Sequence, residues 1–138
     1  THDTVTKVPF DTEIIDTEST YDHSTNYRWT PGVAGRYFSY SKCFFEFANN
    51  KMNSSYLHTY KNGNPNYPTA SEQSHINFYK PLTGSRTMLI TQGIFEMDAD
   101  DYLEIWVLGG HVDTGSNTFT LSELGSWWTG WRLPGYLS

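Results

Sequence analysis

Between Gly35 and Phe47 the chain reads Gly-Arg-Tyr-Phe-Ser-Tyr-Ser-Lys-Cys-Phe-Phe-Glu-Phe, with no proline. Aromatic residues at this density favour an extended chain, and Gly35 and Asn49-Asn50 bracket it as turn residues do. Neighbouring side chains on a strand point to opposite faces. Phe38, Tyr40 and Phe44 therefore share one face, and Tyr37, Phe45 and Phe47 the other. A strand with one wet face alternates apolar and polar residues. This strand does not, so both faces are expected to be covered. In a small all-β domain a second subunit commonly supplies the second cover.

The remaining apolar pieces are short and strand-like. They are residues 7–10, Ile14-Ile15, 26–30, 56–60, 75–80, 86–91, 102–108, 117–121 and 127–133. Pro31-Gly32, Asn62-Gly63, Asp98-Ala99-Asp100-Asp101 and Gly109-Gly110 punctuate them. Asn62-Gly63 suits a two-residue turn, because both residues accept positive φ. In residues 102–108, Leu103, Ile105 and Val107 fall on one face. About ten short strands with turn signals every ~8–12 residues predict an all-β sandwich or jelly roll. Residues 1–7 are polar and read as a joining segment, leaving 8–138 as one domain.

Composition narrows the function classes. The chain has 138 residues, enough for one domain with a core. Tyr, Phe and Trp make up 17% of it, which excludes disorder. A net charge of −6 argues against nucleic-acid binding, which needs a basic face. No apolar run reaches the ~18 residues of a membrane helix, so no membrane insertion is expected. The single cysteine excludes an internal disulfide. The first residue is Thr1 rather than Met, so the chain is read as processed or as part of something larger.

Four blocks, taken in order, resemble a known family. They are Trp29-Thr30-Pro31-Gly32-Val33-Ala34-Gly35-Arg36-Tyr37, preceded by Phe10 and Tyr21-Asp22; Leu57-His58-Thr59-Tyr60-Lys61-Asn62-Gly63; 97–107, from Met97-Asp98 to Trp106-Val107; and Trp127-Trp128-Thr129-Gly130-Trp131-Arg132-Leu133. Together they resemble the complement C1q-type globular head, a jelly roll of the tumour necrosis factor superfold. Asp100 stands where the family usually has Gly, Arg132 where it has an aliphatic residue, and no collagen-like tail is present. The resemblance implies a ten-stranded antiparallel jelly-roll sandwich that forms a homotrimer, one face of its inner sheet lying around the threefold axis. Tyr37, Phe45, Phe47, Trp128 and Trp131 are then the expected core and trimer-interface residues, with Tyr37 and Trp131 covered by neighbours.

Candidate chemistry is sparse. No Gly-x-Ser-x-Gly elbow occurs. Cys43, among aromatics, reads as an inert buried thiol. The acidic cluster Asp98, Asp100, Asp101 and Glu104 reads first as an acidic turn. Because some members of the family bind calcium, the three aspartates are also kept as weak candidates for Ca²⁺ held by hard oxygen ligands. No other cofactor is expected. His111 and Asp113 share a face but lack a third ligand nearby. Tyr67, with Asn64 and Asn66, forms a candidate ligand loop, and His111, Asp113 and Asn117 form a second. Flat amphipathic rings such as Tyr67, Tyr79, Tyr136 and the Trp127-Trp128 pair can stack on sugars. Asn53-Ser54-Ser55 matches an N-glycosylation acceptor.

These readings converge on a non-enzymatic trimeric head. Lacking disulfides and a collagen tail, it looks like a microbial or bacteriophage version: a tail-fibre tip or capsid decoration, on a virion surface or extracellular. Its expected partners are copies of itself, other virion proteins, or a host surface glycan or protein. The rival is a monomeric carbohydrate-binding jelly roll from a secreted enzyme.

Overall fold

The structure is a computed structural model describing residues 5–47, 52–64, 86–111, 119–122 and 124–135. Among these residues there are nine strands and no helix. The strands are β1 (Thr6–Lys7), β2 (Tyr21–Asp22), β3 (Arg28–Trp29), β4 (Gly35–Phe47), β5 (Met52–Lys61), β6 (Arg86–Met97), β7 (Leu103–His111), β8 (Phe119–Leu121) and β9 (Trp127–Arg132). All pairings are antiparallel and fall into two sheets. In the first sheet β7 is central, with β5 along one edge and β1 and β3 sharing the other; β2 pairs β3. In the second, β4 is central, with β6 along one edge and β9 and β8 in succession along the other.

The alternation along β4 decides the packing. Tyr37, Ser39, Ser41, Cys43 and Phe45 point inward and are buried. They meet Leu57, Ile105 and Val107 of the first sheet, together with Val8 and Leu89. Phe95, Met97 and Leu103 close one end of the core around Tyr37. The middle of β4 is small on purpose: Ser39, Ser41 and Gly130 of β9 leave room for two indoles. Trp128 Nε1 donates to Ser39 Oγ at 2.9 Å, which satisfies the one polar atom that this ring buries. Trp29 reaches across from the first sheet, edge-on to both Tyr37 and Trp128. Thr59 and Thr91 hydroxyls bond each other between the sheets at 3.3 Å.

Expected and observed elements differ most in two places. Ile14-Ile15, read as a strand piece, lies in a loop and is exposed. Its neighbours Asp11, Glu13, Asp16 and Glu18 are acidic, and among the described residues no strand pairs with it. The strand read over 86–91 runs on to Met97, because β4 offers pairing partners along the whole length, down to Gly35↔Met97. The strand read over 75–80 lies outside the described residues. The Asn62-Gly63 turn has the conformation its residues favour: φ is 53° at Asn62 and 71° at Gly63, and Asn64 N–H donates to the Lys61 carbonyl at 2.9 Å.

Candidate functional site

The outer face of the second sheet is where the fold leaves its own apolar side chains uncovered. Three strands build it in register. Phe38 sits between Ile94 and Trp131, Tyr40 between Gln92 and Thr129, and Lys42 between Ile90 and Trp127, while Phe44 faces Met88. Phe38 packs on Trp131 with ring centroids 4.8 Å apart, and Tyr40 on Trp127 at 5.0 Å. These contacts are lateral only. Trp131 remains 50% exposed and Trp127 43%, with Met88 and Ile94 similarly open. Ion pairs stand at both ends of the face: Arg36 with Glu96, and Arg86 with Glu46 at 3.1 Å. Among the described residues, Lys42 in the middle of the face has no ion-pair partner. A contiguous apolar patch with a charged rim is the usual mark of an interaction surface.

The outer face of the first sheet is also aromatic, but it is closed. Tyr60 stacks on Trp106 from β5 at 5.4 Å, and the Lys7 ammonium lies 5.3 Å from the same indole from β1. Lys7 pairs with the buried Glu104 carboxylate at 2.5 Å, whose other oxygen accepts from Trp106 Nε1 at 3.1 Å. His58 packs edge-on to Tyr60. Burial holds its imidazole below the usual histidine range. The cluster clips β1 onto β7.

The acidic turn is likewise engaged within the chain. Asp101 accepts from Asn62 Nδ2 at 2.6 Å and from the Asp98 amide at 2.7 Å, and pairs with Lys61 at 2.9 Å. Burial would push its carboxyl up, but these donors hold it below the usual carboxylate range. Asp98 and Asp100 sit in the same turn. Among the described residues no three His, Cys, Asp or Glu side chains gather as a metal site. Cys43 is fully buried, and burial pushes its thiol up to about 12.

The other residues singled out from sequence separate by location. Tyr37 and Phe45 belong to the chain's own core, and the Tyr37 hydroxyl donates to the Val33 carbonyl at 2.7 Å. Trp128 is half-buried against that core, whereas Trp131 points the other way. Phe47 is the last residue of β4, opposite Phe119. Asn64 closes the Asn62-Gly63 turn, and His111 ends β7 opposite Met52. Asn66, Tyr67, Tyr79, Asp113, Asn117 and Tyr136 lie outside the described residues. The Asn53-Ser54-Ser55 motif falls on β5, where the Ser55 side chain is buried. What the sequence reading missed is the β6 share of the open face: Met88, Ile90 and Ile94. The signal was present, since 86–97 is apolar in both alternating registers around Thr91 and Gln92. No helix among the described residues is long and apolar enough to cross a membrane. No family model matches the chain, and no curated protein is significantly similar to it.

Proposed function

We propose that this chain is a non-enzymatic head that assembles with copies of itself, as a homotrimer of C1q-like jelly rolls, through the outer face of the second sheet. The observation that carries the reading is the row of half-exposed apolar residues Trp127, Trp131, Met88 and Ile94 on a sheet whose other face is already a packed core. Strand connectivity supports it. From β4 onward, successive described strands change sheet at β5, β6, β7 and β8, as a jelly roll requires. The biological role that fits is a fibre tip or capsid decoration at a virion or extracellular surface, presenting its loops to a glycan or protein. Sedimentation of the whole chain tests the assembly. The expected particle is three times 15.9 kDa, and Trp131→Ser, whose side chain lies outside the chain's own core, converts it to a folded monomer. A wild-type monomer at high concentration overturns the reading.

One observation favours a second reading. Trp127 and Trp131 share the open face four residues apart, about 13 Å along the strand. Two exposed indoles at that spacing on one face suit a monomeric glycan-binding platform. A 15.9 kDa monomer that binds a polysaccharide, and loses binding with Trp131→Ser, selects that reading instead.

A further inference from the structure

The open face is too small to hold an assembly by itself. Four residue rows and three strands measure roughly 20 Å by 15 Å, about 300 Å². Stable interfaces bury about 800 Å² per partner. More surface must come from elsewhere on the chain, and one segment is shaped to supply it.

That segment is the loop over residues 11–20. At its tip Ile14 is 88% and Ile15 83% exposed, among the most exposed large apolar side chains described. Such exposure costs solubility, and among the described residues no core packing uses it. The loop is nonetheless held in place. Both of its feet stand on β9: Phe10 and Tyr21 pack on Trp128 at 5.9 and 5.3 Å, and the Tyr21 hydroxyl donates to the Phe10 carbonyl at 3.0 Å. Asp16 accepts from the amides of Tyr21 at 2.8 Å and Glu18 at 3.2 Å, which fixes the returning limb. The two isoleucines are therefore carried on a braced loop rooted on β9, at the border of the second sheet. Four carboxylates flank them in sequence, Asp11, Glu13, Asp16 and Glu18; Glu13 lies 3.4 Å from His23 and Asp16 is bonded within the loop. The open face has the opposite character at its centre, where Lys42 stands between Ile90 and Trp127.

We infer that the Ile14-Ile15 tip is a docking knob that seats on the outer face of the second sheet of the next copy, against the β6 side of that face, with its acidic flanks toward Lys42. This rests on the open face being a self-association surface. The contact is heterologous, knob to face, and such contacts close into rings when repeated by rotation. Each copy then contributes two surfaces to the ring, its loop tip to one neighbour and its open face to the other.

The test uses the whole chain. In the double variant Ile14→Ser/Ile15→Ser, self-association measured by sedimentation weakens roughly tenfold or more, as loss of two buried anchors does at an interface. The circular dichroism of the dilute protein is unchanged, because both side chains lie outside the core. A second measurement does not depend on how that variant folds. Chains carrying Ile15→Cys are mixed with chains carrying Ile94→Cys and oxidised mildly, Cys43 staying buried. Disulfides between the two kinds of chain are expected in excess over either like pair. If the serine variant assembles as the wild type does and no mixed disulfide forms, while Trp131→Ser still dissociates the particle, the knob is overturned and the face stands. A wild-type chain that never assembles overturns both.

Discussion

At the scale of single residues, space rather than chemistry sets the strongest constraints. Gly130 is the clearest case. A Cβ there would lie 2.3 Å from the ring of Trp29, which arrives from the opposite sheet. Gly130→Ala must push that indole out of its edge-on contacts with Tyr37 and Trp128. The expected cost is about 1–3 kcal/mol, the usual price of overpacking, seen as a lower urea midpoint with an unchanged slope. An unchanged midpoint would mean that the indole has room to move. Cys43 gives a second check. Its burial and raised ionisation leave almost no thiolate in the folded chain. A thiol reagent should modify it only after unfolding, whereas fast labelling of native protein would place this strand at the surface. The two residues also differ in legibility. Cys43 is surrounded by aromatics in sequence, so its burial was readable. Gly130 owes its role to a tryptophan far away in the chain, and no local pattern carries that information.

At the scale of elements, the two turns at one end of the first sheet behave as a unit. Asn62 donates its amide to the Tyr102 carbonyl at 2.9 Å and accepts the Tyr102 amide on Oδ1 at 3.0 Å, while Asp101 ties the acidic turn to Asn62 and Lys61. The Asp101 carboxyl is more acidic folded than unfolded. The unfolded chain therefore binds the proton first as pH falls. The stabilisation is complete above about pH 4, the unfolded carboxylate value, and is lost as pH drops through the lower folded value. Asp101→Asn should cost about 1–3 kcal/mol at neutral pH and flatten the loss of stability below pH 4, followed by urea unfolding at each pH. An acid profile identical to the wild type would remove Asp101 from this role. Asp98-Ala99-Asp100-Asp101 was legible as a turn, and Asn62-Gly63 as its kind of turn. Their union was not, because it depends on β5 and β7 lying side by side. The same limit explains Ile14-Ile15, an apolar pair that reads as strand until the lack of a pairing strand among the described residues is known.

At the scale of the whole molecule, the long aromatic strand supplies the main argument. Its sequence called for two covers, and among the described residues the chain provides one: Tyr37 and Phe45 enter the core, while Phe38 and Tyr40 are flanked within the sheet by β6 and β9 and Phe44 by β6. Trp131 sharpens the point. Half exposed in the single chain, it adds little to the stability of that chain by itself. In the proposed trimer it is covered, so its contribution appears only on association. That separates the two energies experimentally. When folding is coupled to assembly of three chains, a tenfold rise in concentration stabilises each trimer by about 2.8 kcal/mol, two concentration factors of about 1.4 kcal/mol each. The wild-type melting temperature should therefore climb steadily as protein is concentrated. Trp131→Ser should melt at one temperature throughout, equal to that of wild type at high dilution, because it leaves the core around Trp128 and Tyr37 intact. A wild-type melting temperature that ignores concentration would mean that the second face of β4 meets water, and that its aromatic rows serve a ligand instead of a neighbour.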